Sequence, residues 1–213
     1  TPTAGARVGI GMPVYNGEDY IEQTLRSILA QTFRDFELVI SDNASTDRTA
    51  EICQKYTAAD PRVRYLRQEE NRGGAWNFNT VFHASRGEYF KWACHDDLMA
   101  ETYLERCVAV MDDHPDVAIC YPKTLLIDAE GNEIGPYEDE LHLMDASPVE
   151  RFRRVVFRKP RRCHPSLGLM RRDLLAQTDL IGAYRSSDEI LLAHLALLGK
   201  YYEYPERLAV RRI

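Results

Sequence analysis

The feature that most constrains this chain is an alternation of short apolar runs with helix-period segments, in which the runs end on polar residues. Val8–Val14 is an apolar run interrupted only by Pro13, and Tyr15-Asn16 follows it. Ile21, Leu25, Ile28 and Leu29 then recur at helical spacing. A second run at 36–41 ends at Asp42-Asn43, and Ile52, Cys53 and Tyr56 stripe the next helix. Ser45 is placed to cap that helix, with Asp47 in its first turn. Residues 63–66 read as a third strand, and a turn at Asn71-Arg72-Gly73-Gly74 opens a helix running through Ser85. Residues 88–94 read as a fourth strand entering His95-Asp96-Asp97. An amphipathic helix with Tyr103, Leu104, Cys107, Val108 and Met111 follows, then a strand at 117–121. This order predicts an α/β fold with a parallel sheet covered on both faces. Ligands of such sheets bind beyond the carboxyl ends of the strands. Tyr15-Asn16, Asp42-Asn43 and Asp96-Asp97 all sit at such ends.

The second half is less regular. It reads as a hairpin at 127–134, a helix at 148–158, a strand at 167–170, a helix at 187–198 and a closing strand at 201–204. With 213 residues and no repeat or linker, one compact unit is expected. The net charge of -6 disfavours nucleic acid as a partner. Arg151, Arg153, Arg154, Arg158, Lys159, Arg161 and Arg162, with Phe152 and Phe157, form a local exception. They make either a solvated helix face or a surface for an anionic acceptor or a membrane. The five cysteines lack CxxC spacing, so reduced thiols in a cytoplasmic setting are expected. No apolar stretch is long enough to span a bilayer, which leaves peripheral attachment at the inner face of a membrane open.

Two carboxylates side by side after a buried strand repel each other and resist desolvation, and a divalent cation relieves both problems. Mn²⁺ and Mg²⁺ take carboxylate oxygens together with substrate phosphates. Asp96-Asp97 is therefore either a metal site or a helix cap. Asp42 could accept from a base or ribose, or close an Asx turn toward Ser45. Pro13, Tyr15 and Asn16 could offer an aromatic face and amides to a nucleobase, or form a plain loop. Asn71, Arg72 and Gly73 could bring a guanidinium and helix-end amides to phosphate, or form a turn built for glycine.

Gly-Met-Pro-Val-Tyr-Asn-Gly at 11–17, Ser-Ile-Leu-Ala-Gln-Thr at 27–32 and Phe-Glu-Leu-Val-Ile-Ser-Asp-Asn-Ala-Ser-Thr-Asp at 36–47 together resemble the opening of the family 2 glycosyltransferases. The resemblance continues through Asn71, Gly73, Asn79, Gly87-Glu88-Tyr89 and Asp96-Asp97, close over 7–122 and looser beyond. It implies a GT-A fold, a Rossmann-like, mostly parallel sheet with helices on both faces and a merged acceptor half. The nucleotide-sugar half would be 7–122 and the acceptor half 123–213, within a single domain over 1–213. It implies inverting sugar transfer from a nucleotide diphosphate donor, UDP-linked by preference, to an acceptor hydroxyl in polysaccharide or glycoconjugate biosynthesis. By position, Pro13, Tyr15 and Asp42 would meet base and ribose, with Asn16 beside them and Glu18 near the nucleotide. Arg72, in the Asn71–Gly73 loop, would lie near base or phosphates. Asp96 would hold ribose or sugar, and Asp97 would bind Mn²⁺ or Mg²⁺.

Where relatives often read Asp-x-Asp-Asp, this chain has Cys94 first and His95 second. In Ser187-Asp188-Glu189, Ser187 replaces the usual Glu, and Asp188 matches the catalytic base. His164, before Pro165, is either structural or a contact for acceptor or phosphate. A sugar-1-phosphate nucleotidyltransferase is disfavoured, because no glycine-rich basic loop follows the first strand. A nucleotide-sugar-binding or scaffold domain without turnover is the alternative that Cys94 and Ser187 leave standing. The chain stops at Arg211-Arg212-Ile213, where relatives often continue, so truncation at the carboxyl end is expected.

Overall fold

A computed structural model describes residues 5–157 and 164–213. Arg158, Lys159, Arg161, Arg162 and Cys163 lie outside the described residues.

The centre of the fold is β1 (Val8–Val14), buried along its whole length. It pairs in parallel with β2 (Phe36–Asp42) on one side and β4 (Tyr89–Trp92) on the other, and β3 (Val63–Arg67) pairs in parallel beyond β2. Strands covered on both faces need apolar residues at consecutive positions, hence the near-continuous runs in β1 and β2. Val8, Ile10, Met12 and Val14 pack with Ile21, Leu25 and Ile28 of α1 (Ile21–Leu29) and with α4 (Tyr103–Asp113). Gly9 and Gly11 point the other way, toward α3 (Gly74–Ala84) and the turn after it. A methyl group on Gly11 would come within 2.6 Å of Val81 Cγ2. One on Gly9 would run into the Arg86 carbonyl oxygen. Glycine lets helix and strand lie this close. α2 (Thr49–Ala59) links β2 to β3 and buries Cys53.

The remaining strands extend the same sheet. β8 (Leu169–Arg171) lies antiparallel between β4 and β6 (Val117–Ile127). β9 (Lys200–Arg212) runs parallel to β6 and carries the short β5 (Leu98–Met99) on its far edge. β7 (Glu133–Tyr137) folds back on β6 as the expected hairpin. Among the described residues the order is β3-β2-β1-β4-β8-β6-β9-β5, with β7 on β6. The parallel, nucleotide-half character is concentrated in β3-β2-β1-β4. The two expected halves share one sheet, and β6 runs across the division at 122/123.

Several expectations are corrected. β6 and β9 continue past Pro122 and Pro205, where the sequence pattern ends them. A register shift next to Pro122 lets the ladder absorb a residue that cannot donate. Ser45 does not cap α2, whose first residue is Thr49 and whose N-cap is Arg48. Asp97 does not cap α4, because β5 intervenes and the N-cap is Thr102. In the basic run, Arg151 of α5 (Pro148–Val156) is buried and spends its guanidinium on the carbonyls of Ala196, Asp145 and Ala146. Arg153 and Arg154 pair with Glu150 and Asp145. α6 (Arg172–Leu175) has no counterpart in the sequence reading. α7 (Ser187–Leu198) matches it, burying Leu191, Leu192, Leu195 and Ala196. No described helix is long and apolar enough to cross a membrane. Cys53, Cys94, Cys107 and Cys120 are free thiols.

The close approach at Gly9 is testable. Gly9→Ala should cost about 1–3 kcal/mol by urea denaturation, because the obstacle is backbone. Gly74→Ala, where an added methyl meets nothing within 4 Å, should leave stability unchanged or raised. Equal midpoints for the two variants would contradict this packing account.

Candidate active site

Register brings the polar strand ends to one level, with Val14 beside Asp42 and Gly11 beside Trp92. Two side chains at the end of β2 then fasten the neighbouring loops. Asp42 is fully buried. Its Oδ1 accepts from Ser45 N at 2.8 Å, and its Oδ2 from Tyr65 Oη at 2.6 Å and from Arg67 at 3.5 Å. The backbone N of Asn43 bonds Val14 O at 2.9 Å. Its side-chain amide donates to Asn71 Oδ1 at 2.8 Å and accepts from Arg72 N at 3.0 Å. Gly73 takes φ +86 as it leads into α3, a conformation suited to glycine. Arg72 lays its guanidinium over Trp76, 4.3 Å from the ring centroid.

These loops wall a cleft of about 400 Å³. Pro13, Val14 and Tyr15 form one side, Asn43, Asn71, Gly74, Asn77 and Phe78 another, and Cys94, His95 and Asp96 the end. Tyr15 is 45% exposed and presents its ring to this space. Asn77, absent from the sequence-based site, is 2% exposed. Its amide nitrogen holds Ser41 O at 2.8 Å, while Oδ1 has no donor among the described residues. That oxygen is buried and left unpaired among the described residues. Asn43 was read only as part of a polar cluster, and no local signal in the sequence marks Asn77.

The segment after β4 holds the acid pair. Ligand atoms of Cys94, Asp96 and Asp97 lie within 4.8 Å of one another. Asp97 receives the Arg211 guanidinium and, at 3.2 Å, Arg212 N. Arg212 bonds the Asp96 carbonyl oxygen at 3.2 Å and stacks on Tyr20, 4.3 Å from its centroid. No hydrogen bond to the Asp96 carboxylate is found among the described residues. Burial pushes the Cys94 thiol up to about 12, so it is neutral at pH 7 unless a cation draws off its proton. The two carboxylates suit a hard divalent cation that also takes phosphate oxygens, while the neutral thiol beside them is not a ligand of that kind. His95 packs against Gly17, where a methyl would come 2.7 Å from its Cδ2.

The remaining expected residues stand apart from the cleft. Asn16, at φ +51, bonds through Oδ1 to Thr46 N at 2.9 Å. Glu18 accepts from Arg48 N at 3.0 Å, at the start of α2. Both fasten the loop after β1 to the loop after β2. Asp42 lies below the cleft surface rather than on it. Asp188 sits in the first turn of α7, where the helix end favours a carboxylate, and accepts from Glu189 N at 3.0 Å. No residue of α7 lines the cleft.

Beneath the acid pair, Lys91 of β4 is buried and donates to Trp92 O and Leu167 O. Burial, with a smaller push from Arg211, lowers it to about 7 from 10.5. Its native form therefore binds fewer protons than the unfolded chain between pH 7 and 10.5, and stability rises with pH across that window. The wild type should gain on Lys91→Met between pH 7 and 9, by at most about 1.4 kcal/mol per pH unit. A constant difference in urea midpoints would show that Lys91 stays charged.

Comparison with known proteins gives this geometry a context. The family model "Glycosyl transferase family 2" matches residues 10–178. Chondroitin synthase of Escherichia coli is 36% identical over 127 residues, 60% of this chain and 18% of that protein. The first curated relatives are matched over 38% and 16% of their own lengths, so the chain corresponds to part of each. Staphylococcus aureus TarS 1-349 in complex with UDP-GlcNAc superposes with a TM-score of 0.78 at 20% identity, covering 97% of this chain and 58% of that one. The mannosyltransferase PcManGT from Pyrobaculum calidifontis, in complex with GDP-Man and Mn²⁺, gives 0.68 at 21% identity, covering 99% and 58%. At this identity the two structures speak for the fold, a GT-A fold of mixed α/β type. The family match spans most of the chain, from β1 through β8 and α6, and on that ground the chain belongs to glycosyl transferase family 2.

Proposed function

We propose that the protein transfers a sugar from a nucleotide diphosphate donor, UDP-linked by preference, to an acceptor hydroxyl with inversion at the anomeric carbon. The observation that carries this reading is the cleft at the ends of β1, β2 and β4, which closes on an Asp96 carboxylate without a protein donor. In it, Tyr15 stacks on the base, Asn77 holds the end of β2 from below, and the loop of Asn71, Arg72 and Gly73 faces the phosphates. Pro13 shapes the base side. Asn16, Asp42 and Glu18 act by holding those loops. Asp96 takes ribose or sugar hydroxyls. Asp97, with Asp96 beside it, would hold Mn²⁺ or Mg²⁺, and Arg211 would have to yield Asp97 to it. The cation, when bound, neutralises charge on the leaving diphosphate. The acceptor oxygen attacks the anomeric carbon opposite the breaking bond to diphosphate, and Asp188 takes its proton. A single displacement of this kind inverts the carbon. The Mn²⁺ and nucleotide sugars named for PcManGT and TarS support the cation and donor class.

The Arg211–Asp97 pair favours a second reading, a donor-binding domain without turnover. Thermal-shift titration with UDP-, GDP-, dTDP- and CDP-sugars, with and without Mn²⁺, separates the two. A UDP-sugar should give the largest rise, and Asp97→Ala should remove its metal-dependent part. A metal-dependent rise that survives Asp97→Ala would refute the metal assignment. Arg211→Gln should lower the midpoint in EDTA and enlarge the Mn²⁺ increment, because the competing cation is gone. Asp188→Asn should keep donor binding and reduce nucleoside diphosphate release about 10²- to 10⁴-fold. Donor binding with no release from the wild type, across a panel of glycan and lipid-linked acceptors, would leave the binding-domain reading.

A further inference from the structure

Asp139 is 1% exposed, and neither carboxylate oxygen has a hydrogen-bond donor among the described residues. It sits between Glu138, which pairs with Lys123 and Arg207, and Glu140, while its own side chain turns inward. A buried carboxylate without a donor is costly, so such a group is kept where a partner stands by. Among the described residues, the cationic or N–H group paired with it is His164, whose Nδ1 lies 3.5 Å from Asp139 Oδ2. That nitrogen is itself buried and without a hydrogen bond among them. A closing movement of about half an ångström would satisfy both, as expected of site contacts that tighten on ligand binding. The ring of Tyr137 packs on the imidazole, centroids 4.3 Å apart, and limits its rotation.

The place of His164 links this pair to the acid segment. His164 opens the 3-10 turn His164–Leu167, and Leu167 O takes the Lys91 ammonium and, at 3.4 Å, the Tyr103 hydroxyl. His164 lines a pocket of about 30 Å³ shared with Lys91, Cys94, Asp97, Tyr121 and Arg211, room for a single hydroxyl group but not for a sugar ring. The nucleotide cleft approaches the same segment through His95 and Asp96, with Cys94 common to both.

We propose that Asp139 and His164 form a positioning pair for the transferred sugar. Asp139 accepts the Nδ1–H, which leaves Nε2 as the lone-pair nitrogen and aims it at the pocket beside Asp97. A hydroxyl of the donor's glycosyl group donates to it. Asp139 acts only through His164. The proposal rests on the donor reading above, while the pairing itself does not need it.

Two measurements test it. Long-range ¹H–¹⁵N spectra of ¹⁵N-histidine protein, with His164 assigned by its loss in His164→Asn, should show the Nδ1–H tautomer. Asp139→Asn should shift it toward Nε2–H. An Nε2–H tautomer in the wild type, or no change in Asp139→Asn, would overturn the pair. The second measurement compares UDP-GlcNAc with UDP by calorimetry, or the donor ranking first in the panel with its own nucleoside diphosphate. Asp139→Asn should keep nucleoside diphosphate affinity and lose about 3- to 10-fold in affinity for the nucleotide sugar. His164→Gln, whose amide reaches the Nε2 position, should retain more of that preference than His164→Asn. These two variants carry the test if Asp139→Asn does not fold. An unchanged sugar preference in all variants, or equal loss for sugar and nucleoside diphosphate, would overturn the positioning role. Failure of every nucleotide to bind would overturn the donor reading and the sugar role with it, while the tautomer spectra would still decide the pair.

Discussion

Burial of the Asp42 carboxylate is the constraint on which the rim of the cleft depends. A charge at that depth persists only when its oxygens are taken, and they are taken by the loop that follows and by β3. Tyr65, bonded to it, is buried enough that its hydroxyl stays protonated well above its ordinary value. Asn43 repeats the arrangement one residue later, with its backbone on β1 and its amide on the loop before α3. The two residues turn three chain segments into one rigid ledge. Tyr15 stands exposed at its edge, so a ligand entering the cleft has little of the backbone left to order.

The amino-terminal half was largely legible because its strands are buried on both faces and its helices on one. Those two patterns differ in period, and α4 buries every residue that the spacing selects, α1 all but the partly buried Leu29. Legibility failed where geometry depends on distant partners. At Asp42 the turn toward Ser45 is legible and present, but nothing near it in the chain reveals that Tyr65 and Arg67 will also cover it, 23 and 25 residues later. Ser45 has the chemistry of a cap, but its hydroxyl is spent on Asn16 N at 2.9 Å. Arg151 looks like surface charge until the carbonyl of Ala196 closes over it. Pro122 and Pro205 conceal the continuation of two strands, because the register shift that accommodates Pro122 leaves no mark in the pattern.

The acid pair shows the same limit at the centre of the site. Two adjacent aspartates after a strand suggest a cation, and their spacing with Cys94 is compatible with one. The sequence does not reveal that a guanidinium already lies against Asp97. Arg211 relieves the repulsion for which a metal would otherwise be needed, which lets the pair persist with or without an ion. Cys94 suits this arrangement, because a neutral thiol adds no further negative charge for Arg211 to offset.

Arg211 reaches Asp97 from 114 residues further along the chain. Such a contact closes a long loop, and its entropy must be met by the pairing of β9 with β6 that carries Arg211 into place. The walls of the cleft draw on Pro13 through Asp96 alone, and a nascent chain could set them early. The Asp97 carboxylate cannot be held until Arg211 has emerged. During synthesis the chain can therefore have a formed cleft wall beside an unanchored acid pair, and it is the arrival of β9 that fixes Asp97.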